Sequence, residues 1–298
     1  MTYDDASSRA LWIPYMNSPG PIGRNNVNLC GNPRAGETMV FVHGFGTDQT
    51  AWSDVAAAFH AGYKIVLLDN ASCGGSDQQA FERNSNRYVT LRGYAADVVE
   101  VGVALGLKDA ILVGHSVGGM IATLASIERP DLYSKLVLLG ASPRYLNDLE
   151  YHGGFTQDMI GAIHLQMYRN YYGWTQSFAR QALGDSGKPH LVEYYARHLD
   201  SIPFTRAAST LITILESDHR KDLMHVSVPT LIVQSKDDFA IPLEVARYLR
   251  DHISGSRLSV IDASGHLPHV SAPDAVVAAI KDFLESAAPT SQAGKLDA

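Results

Sequence analysis

The stretch Ala110-Ile-Leu-Val-Gly-His-Ser-Val-Gly118 decides the fold of this chain. Its first four residues are an apolar run typical of a buried strand, and the residues after Gly118 are patterned as a helix. The pentapeptide from Gly114 matches G-x-S-x-G, in which a sharp turn between strand and helix exposes the serine hydroxyl. Glycines on both sides let the two backbones pass closely. An ordinary loop can match this pattern by chance, so the interpretation depends on the rest of the chain.

Two later segments supply the base and the acid that a serine nucleophile needs. Ser264-Gly265-His266 comes shortly after a strand-like run, which puts His266 on a loop beyond a strand end. Another apolar run, Thr230–Val233, leads into the adjacent carboxylates Asp237 and Asp238. The chain order Ser, Asp, His is the one that this strand, turn and helix arrangement requires. We predict that Ser116 is the nucleophile, that His266 is its base, and that one of the two aspartates orients the imidazole.

The loop His43-Gly-Phe-Gly46 offers hydrogen-bond donors for an oxyanion. It follows a short apolar strand, and its paired glycines let it curl over the serine. The backbone N–H groups of Phe45 and Val117 would face the developing negative charge, at about 3 kcal/mol per donor. We expect His43 and His115 to be structural, because a histidine in such a turn generally ties the loop down by hydrogen bonds.

Composition indicates a soluble enzyme of one large domain. The 298 residues are 46% hydrophobic, and the net charge of −7 disfavours nucleic acids and anionic membranes as partners. The cysteines Cys30 and Cys73 imply no disulfide framework. The C-x-x-C and H-E-x-x-H motifs are absent, and we predict that the protein binds neither a metal ion nor a cofactor. The acidic N-terminus and the lack of an apolar run of ~18 residues predict a cytoplasmic protein.

Apolar, β-rich runs alternate with helix-patterned stretches along most of the chain. The runs lie at residues 38–42, 64–68, 110–113, 135–139, 230–233 and 257–261. This alternation predicts an α/β fold in which helices cover both faces of a mostly parallel, doubly wound sheet. Residues 1–20 are predicted to be a flexible leader and residues 288–298 a disordered tail.

One segment interrupts the alternation. Residues 142–216 show helical periodicity without a convincing strand. This predicts a helical lid inserted between two parts of a core, residues 21–141 and 217–287. A lid over a reactive serine must line a pocket with part of its apolar face, because ligand sites are mostly apolar. The candidate pocket residues are Phe155, Trp174, Phe178 and Leu215.

Seven short stretches of the chain form a recognisable set. They are His43–Gln49 with Trp52, Gly114–Gly118, Leu124–Ser126 with Arg129–Pro130, Ala141–Asp148, Gly153–Phe155, Ser217–Asp218 and Gly265–Pro268. Together they resemble one α/β-hydrolase subfamily, which contains the bacterial stress-response regulator RsbQ and the plant strigolactone and karrikin receptors. The pair Gly118-Gly119 is more similar to the bacterial members, which predicts a bacterial origin.

The resemblance implies a four-helix lid over a small hydrophobic pocket, and a Ser-His-Asp triad that slowly hydrolyses butenolide-type lactones or small esters. It selects Asp238 as the acid, since this residue lies four positions before Pro242 at the start of the next helix; Asp237 is the alternative. The positions that match the family's site are Ser116, Asp238, His266, Phe45, Val117, Phe155, Trp174 and Phe178.

Two functions of different classes share this predicted site. The first is a metabolic serine hydrolase that cleaves a small hydrophobic ester or lactone through an acyl enzyme. The second is a signalling regulator or receptor, in which slow hydrolysis is a trigger and the lid docks a protein partner. An exposed apolar patch on the lid would favour the second function. Dehalogenases and epoxide hydrolases need an aspartate where this chain has Ser116, which argues against both activities. Carbon–carbon bond hydrolases keep the serine, so the sequence does not exclude that activity.

Overall fold

The computed structural model describes residues 13–14, 20–184 and 188–286. Its strands are β1 (Ile13–Pro14), β2 (Asn28–Gly31), β3 (Glu37–Val42), β4 (Tyr63–Leu68), β5 (Ala110–His115), β6 (Tyr133–Leu139), β7 (Thr230–Asp237) and β8 (Arg257–Ser264). Its α-helices are α1 (Pro21–Arg24), α2 (Ser53–Ala57), α3 (Gln78–Arg83), α4 (Leu91–Ala104), α5 (Val117–Glu128), α6 (Gln157–Arg169), α7 (Tyr171–Leu183), α8 (Pro189–Ser201), α9 (Phe204–Leu215), α10 (Leu243–His252), α11 (Pro268–Ser271) and α12 (Pro273–Ser286). Short 3₁₀ helices lie at Gln49–Trp52, Ser85–Val89 and Arg220–His225.

The eight strands form one sheet in the order β1-β2-β4-β3-β5-β6-β7-β8. The pairs from β4 to β8 are parallel, whereas β2 is antiparallel to both β1 and β4. Every residue of the central strand β5 is buried, as expected for a parallel strand covered on both faces. The predicted α/β-hydrolase fold with a mostly parallel sheet is confirmed.

The first two strands were not predicted from the sequence. The strand β2 has only four residues, two of them Asn28 and Gly31, so it lacks an apolar run. The strand β1 lies inside residues 1–20, the predicted leader, whose flexibility stays a prediction. Its residues Ile13 and Pro14 pair with Leu29 and Asn28. The rest of that segment, residues 1–12 and 15–19, and the predicted tail 288–298 lie outside the described residues.

Alternating side chains of the sheet enter two hydrophobic clusters, one on each face. On β3, Val40 and Val42 belong to the larger cluster, which includes residues of α4, α5, α10 and the helices α6 to α9. Met39 and Phe41 belong to the smaller cluster, which α2 and α12 cover. Successive side chains of a strand point to opposite faces of the sheet, so β3 contributes to both clusters. Helices on both faces of the sheet cover these clusters, as expected for a doubly wound sheet.

Four helices, α6 to α9, lie between β6 and β7. They fall within the segment 142–216 that helical periodicity indicated, although residues before α6 form isolated bridges instead of a helix. The segment begins and ends at one point, because Arg144 pairs with Asp218 and the two side chains form a salt bridge of 2.7 Å. The boundaries of the predicted core and lid as separate domains stay a prediction.

The backbones of β5 and α5 pass too closely for a side chain at Gly114. A Cβ there would lie 2.4 Å from the carbonyl oxygen of Gly118 and 2.6 Å from the Cα of Gly119. We expect Gly114→Ala to lower the free energy of unfolding by about 2–3 kcal/mol, because backbone atoms must move apart. Urea denaturation measures this loss.

Gly161→Ala is the matched control for this substitution. Gly161 is exposed inside α6, and a Cβ there would have no atom within 4 Å. Alanine is the better helix former, so this variant should be more stable by about 0.5–1 kcal/mol. Similar effects of the two substitutions would contradict the steric account.

Candidate active site

Ser116 lies at the sharp turn between β5 and α5. Its φ of 54° and ψ of −125° are a strained conformation for a residue with a side chain. Two backbone hydrogen bonds fix the turn: the Ser116 N–H donates to the carbonyl of Leu139 at 2.8 Å, and its carbonyl accepts from Gly119 at 2.9 Å. The turn therefore holds the serine side chain at the carboxyl end of the central strand.

The structure brings Ser116, His266 and Asp238 into one hydrogen-bonded line. The Nε2 of His266 is 2.8 Å from the Oγ of Ser116, and its Nδ1 is 2.9 Å from Oδ2 of Asp238. A carboxylate can only accept, so Nδ1 carries the proton and Nε2 is free to accept the serine hydroxyl proton. In this tautomer the imidazole can act as a general base toward Ser116.

Asp238, rather than its neighbour Asp237, faces the imidazole. The Oδ1 of Asp238 accepts from the backbone N–H groups of Ala240 and Ile241 at 2.9 and 3.1 Å, and Gln234 donates to Oδ2 at 3.1 Å. The Asp238 side chain is only 1% exposed. Asp237 is exposed, and its backbone carbonyl accepts from Gly265. The loop therefore fixes the Asp238 carboxylate in position for His266.

The loop of His266 is tied to both the sheet and the helical insertion. The backbone N–H of His266 donates to Ala182 of α7 at 2.6 Å, and its carbonyl accepts from Nε2 of His115 at 2.7 Å. Burial, and then the nearby histidines His269 and His266, hold the pKa of His115 well below its usual value. His115 is therefore neutral, and it supports the loop without a hydrogen bond to Ser116.

His43 joins two loops at the carboxyl edge of the sheet. Its Nε2 accepts from the backbone N–H of Asn70 at 2.9 Å, so the proton lies on Nδ1, which is 2.8 Å from the carbonyl of Gly44. The Asn70 side chain donates in return to the His43 carbonyl. Both ring nitrogens thus bind backbone, as expected for a structural histidine.

The backbone N–H groups of Phe45 and Val117 have no hydrogen-bond acceptor within the described part of the chain. Val117 is the first residue of α5, where helix N–H groups lack partners within the helix and the helix dipole favours negative charge. Phe45 also lines the cavity in front of Ser116. The two amides can therefore serve a developing oxyanion.

Three polar contacts join helix α8 to the oxyanion loop, His43–Gly46, and to the start of the 3₁₀ helix that follows it. The Tyr195 hydroxyl donates to the carbonyl of Phe45 at 3.0 Å. The hydroxyls of Tyr194 and Thr50 are 3.0 Å apart, and His198 forms an ion pair of 3.3 Å with Asp48. A displacement of α8 would therefore move the loop that carries the Phe45 amide.

The ion pair of His198 with Asp48 predicts a pH-dependent stability. The hydrogen bond to Asp48 raises the pKa of His198 above its ordinary 6.5. Its stabilising contribution is complete below the unfolded pKa of about 6.5 and is lost as pH rises through the folded pKa. We expect the thermal midpoint of the wild type to exceed that of His198→Asn at low pH and to approach it at high pH. A difference that does not change with pH would contradict this.

A mostly apolar cavity opens in front of Ser116 and His266. Its atom-free space is about 510 Å³ when solvent at the mouth is counted, and water-sized spheres can be centred in about 40 Å³ of it. The predicted residues Phe155, Phe178 and Leu215 line it together with Phe45. The lining residues that the sequence analysis did not place in the pocket are His115, Tyr145, Ile163, Tyr195, Leu211, Ile214 and Ala240. The apolar spacing of residues 211, 214 and 215 along α9 was the signal that could have added Leu211 and Ile214 to the predicted Leu215.

Trp174 is a correction to the predicted pocket. It is buried, but it does not line this cavity. Its ring stacks on Phe178, with 5.0 Å between the ring centroids, and on Tyr171 at 5.9 Å. Both residues are on α7, and the i to i+4 spacing puts Trp174 beside Phe178 on one helix face. Trp174 thus supports the Phe178 ring from behind.

No group of three or more His, Cys, Asp or Glu side chains in residues 13–14, 20–184 and 188–286 could hold a metal ion. Among the helices of these same residues, none has the length and apolarity needed to cross a membrane.

The chain is similar to known hydrolases over most of its length. The model of the family described as "Alpha/beta hydrolase family" matches residues 39–279. The karrikin insensitive 2 receptor CA of Petunia hybrida is 40% identical over 85% of this chain and 93% of the receptor. The strigolactone esterase of Arabidopsis thaliana is 39% identical over 89% of this chain and 96% of the esterase. A solved hydrolase of Oleispira antarctica has a TM-score of 0.85 at 31% identity, covering 89% of this chain and 96% of its own.

Proposed function

This chain belongs to the alpha/beta hydrolase family, and on that premise we propose that it is a serine hydrolase that cleaves a small ester or lactone through an acyl enzyme. The observation that carries the proposal is the line of hydrogen bonds from Ser116 through His266 to Asp238, at 2.8 and 2.9 Å. Esterases among the relatives support hydrolysis as the reaction class.

The proposed reaction begins when Ser116 Oγ attacks the substrate carbonyl and its proton passes to Nε2 of His266. Asp238 stabilises the imidazolium that forms and keeps the ring in its tautomer. The amides of Phe45 and Val117 donate to the oxyanion of the tetrahedral intermediate. His266 then protonates the leaving alkoxide, and a water activated by the same histidine hydrolyses the acyl enzyme.

The cavity supports a small hydrophobic substrate. Its wall consists mainly of aromatic and aliphatic side chains, including Phe45, Phe155, Phe178 and Leu215. Such walls bind apolar groups, while the serine edge receives the carbonyl. The strigolactone esterase and the karrikin receptor among the relatives favour a butenolide-type lactone as the substrate. We expect the enzyme to act in the cytoplasm.

A pair of fluorogenic substrates tests this assignment. One is a butenolide joined to a fluorophore by an enol ether, and the other is an acyclic ester of the same fluorophore. We expect the wild type to hydrolyse the butenolide with a higher kcat/KM than the acyclic ester. Ser116→Ala should lose both activities. Hydrolysis of the acyclic ester alone would restrict the proposal to an esterase, and hydrolysis of neither would contradict it.

A signalling regulator or ligand receptor is the second candidate function. The observation that favours it is a concentration of exposed large apolar side chains in and just before the helices α6 to α9. They are Leu149, Met159, Leu165, Tyr168, Tyr172 and Ile212. A protein partner would dock where such side chains form one contiguous patch. In this case catalysis would be a slow trigger for docking.

The time course of product release separates the two candidates. An enzyme of metabolism should give multiple turnovers and an unmodified intact mass. A receptor-like hydrolase should give one burst of product and a mass adduct that is absent in His266→Ala. The adduct and burst would favour the regulator, and rapid multiple turnover would favour the enzyme.

A further inference from the structure

The peptide that carries the Phe45 amide is oriented through its own carbonyl. This peptide joins Gly44 to Phe45, and in a trans peptide the C=O and N–H groups point in opposite directions. The Gly44 carbonyl accepts from Nδ1 of His43 at 2.8 Å and from the hydroxyl of Thr47 at 3.1 Å. These two donors fix the carbonyl side of the peptide and therefore the direction of the Phe45 N–H.

The other half of the oxyanion loop depends on helix α8. The Phe45 carbonyl accepts from the Tyr195 hydroxyl at 3.0 Å, and no other donor within the described part of the chain reaches it. The next residue, Gly46, has a φ of 73°, and a Cβ there would overlap Cδ2 of Leu199. The loop thus lies directly against α8, and one hydrogen bond fixes the orientation of its last peptide.

Helix α8 is in turn held by α7. The Tyr171 hydroxyl donates to the carbonyl of Leu199 at 2.9 Å, one turn along α8 from Tyr195. The Thr175 hydroxyl donates to the carboxylate of Asp200. Tyr195 and Leu199 are both buried, at 2% and 0% exposure. The Tyr195 hydroxyl therefore has a fixed position on a packed helix.

The Tyr195 hydroxyl is the donor in its contact with the loop. A backbone carbonyl can only accept, so the phenol must supply the proton. Burial raises the pKa of Tyr195, so the phenol stays protonated. The ring lines the cavity in front of Ser116, whereas the hydroxyl is already bound to the loop. The bond can therefore be removed without removing the ring.

We propose that Tyr195 is a positioning residue for the oxyanion site: its hydroxyl holds the Phe45 carbonyl, and so keeps the Phe45 amide where the oxyanion forms. Tyr195 does not touch the reacting atoms in this role. The inference rests on the proposed hydrolase function, in which the Phe45 amide stabilises the tetrahedral intermediate. Such a donor contributes only while it is aimed at the developing charge, so a small displacement of the loop lowers the rate. A helix residue 150 positions after Phe45 thereby completes the oxyanion site.

Tyr195→Phe removes this hydrogen bond and keeps the ring. Tyr194→Phe is the matched control, because the hydroxyl of Tyr194, on the same helix, contacts the Thr50 side chain instead of the oxyanion loop. Values of kcat and KM are measured for the wild type and both variants with para-nitrophenyl butanoate.

A second measurement separates the oxyanion site from the rest of the cavity. Inhibition constants are measured for benzyl trifluoromethyl ketone and for the alcohol formed by its reduction. When Ser116 Oγ adds to the ketone carbonyl, the carbonyl electrons move to its oxygen and the serine proton passes to His266. The adduct therefore carries an oxyanion. The alcohol has nearly the same shape but forms no adduct.

We expect Tyr195→Phe to lower kcat about tenfold and to leave KM within about twofold, because the oxyanion forms in both acylation and deacylation. Its affinity for the ketone should also fall about tenfold, while its affinity for the alcohol stays within about twofold. Tyr194→Phe should keep kcat and both affinities within about twofold of the wild type. Both variants lose one hydrogen bond of α8, so both thermal midpoints should fall, and lower stability alone does not account for a difference in kcat.

Equal losses of affinity for the ketone and the alcohol in Tyr195→Phe would overturn the inference, because the hydroxyl would then shape the cavity and not the oxyanion site. An unchanged kcat, or the same loss of kcat in Tyr194→Phe, would overturn it as well. Each of these results leaves the proposed function intact, since the wild type is active. A wild type that does not hydrolyse the ester would contradict the proposed function itself, so the two failures are distinguishable.

Discussion

Ser116→Ala is expected to lower kcat/KM for para-nitrophenyl esters by at least about 10⁴-fold. The substitution removes the atom that forms the acyl enzyme, and only oxyanion donors and substrate binding remain to accelerate hydrolysis. Stability should change little or increase, because alanine lacks the hydroxyl and the 54° φ of this position strains either residue alike. Initial rates and urea denaturation of the purified variant measure both effects.

Ser126→Ala is the matched control. Ser126 is buried on α5, the helix that follows Ser116, and its hydroxyl donates to the carbonyl of Thr123 at 2.8 Å, away from the cavity residues. Its activity should stay within about twofold of the wild type, since surface and core changes outside the site act mainly on stability. Activity of Ser116→Ala within about tenfold of the wild type, about 1.4 kcal/mol of barrier, would contradict the nucleophile assignment.

Asp238→Asn is expected to lower kcat by about 10⁴-fold. An amide in place of the carboxylate can donate to Nδ1 of His266, which favours the tautomer whose Nε2 carries the proton. That nitrogen could no longer accept the proton of Ser116. The backbone donors at Ala240 and Ile241 would also face an amide oxygen that carries less charge. The pH dependence of kcat, measured with the wild type in parallel, monitors the loss of the base.

Asp237→Asn provides the comparison for the adjacent carboxylate. The Asp237 side chain is exposed, and its described hydrogen bond is made by the backbone carbonyl, which the substitution keeps. We expect kcat within about threefold of the wild type, as for an exposed position away from the chemistry. If Asp237→Asn were the more damaging change, the role of the acid would move to Asp237.

The sequence was sufficient to predict those elements that a local pattern of apolar residues and glycines determines. The apolar run of β5 and the flanking glycines Gly114 and Gly118 predicted a strand, a turn and a helix, and the structure has them at those residues. The run Thr230–Val233 likewise predicted β7. Parallel strands bring their carboxyl ends to one edge, so residues that follow different strands were expected to meet there.

Features that depend on packing between distant segments were not predictable in this way. The short strand β2 has no apolar run, and it exists because β4 pairs with it. Trp174 and Phe178 are equally apolar and lie on one helix, so periodicity alone could not decide which ring faces the cavity. Tyr145 lies in an irregular loop after β6, where no periodic signal exists. Its position became evident only from the contacts of the folded chain.

The contact of α8 with the oxyanion loop was likewise not predictable from the sequence. Tyr195 and Phe45 are separated by 150 residues, and a hydroxyl bound to a backbone carbonyl leaves no signature in side-chain type. The choice between Asp237 and Asp238 rested on the resemblance, since the two residues are chemically identical. In the structure the choice follows from the backbone donors that surround Asp238.

Covalent trapping of the nucleophile tests the central claim most directly. The wild type, Ser116→Ala and His266→Ala are incubated with a fluorophosphonate, and intact mass and peptide maps are recorded over time. The account predicts a single adduct on Ser116 in the wild type, none in Ser116→Ala, and much slower labelling in His266→Ala, because its base is missing. An adduct on another residue, or equal labelling of the wild type and Ser116→Ala, would contradict the claim that Ser116 is the nucleophile of this hydrolase.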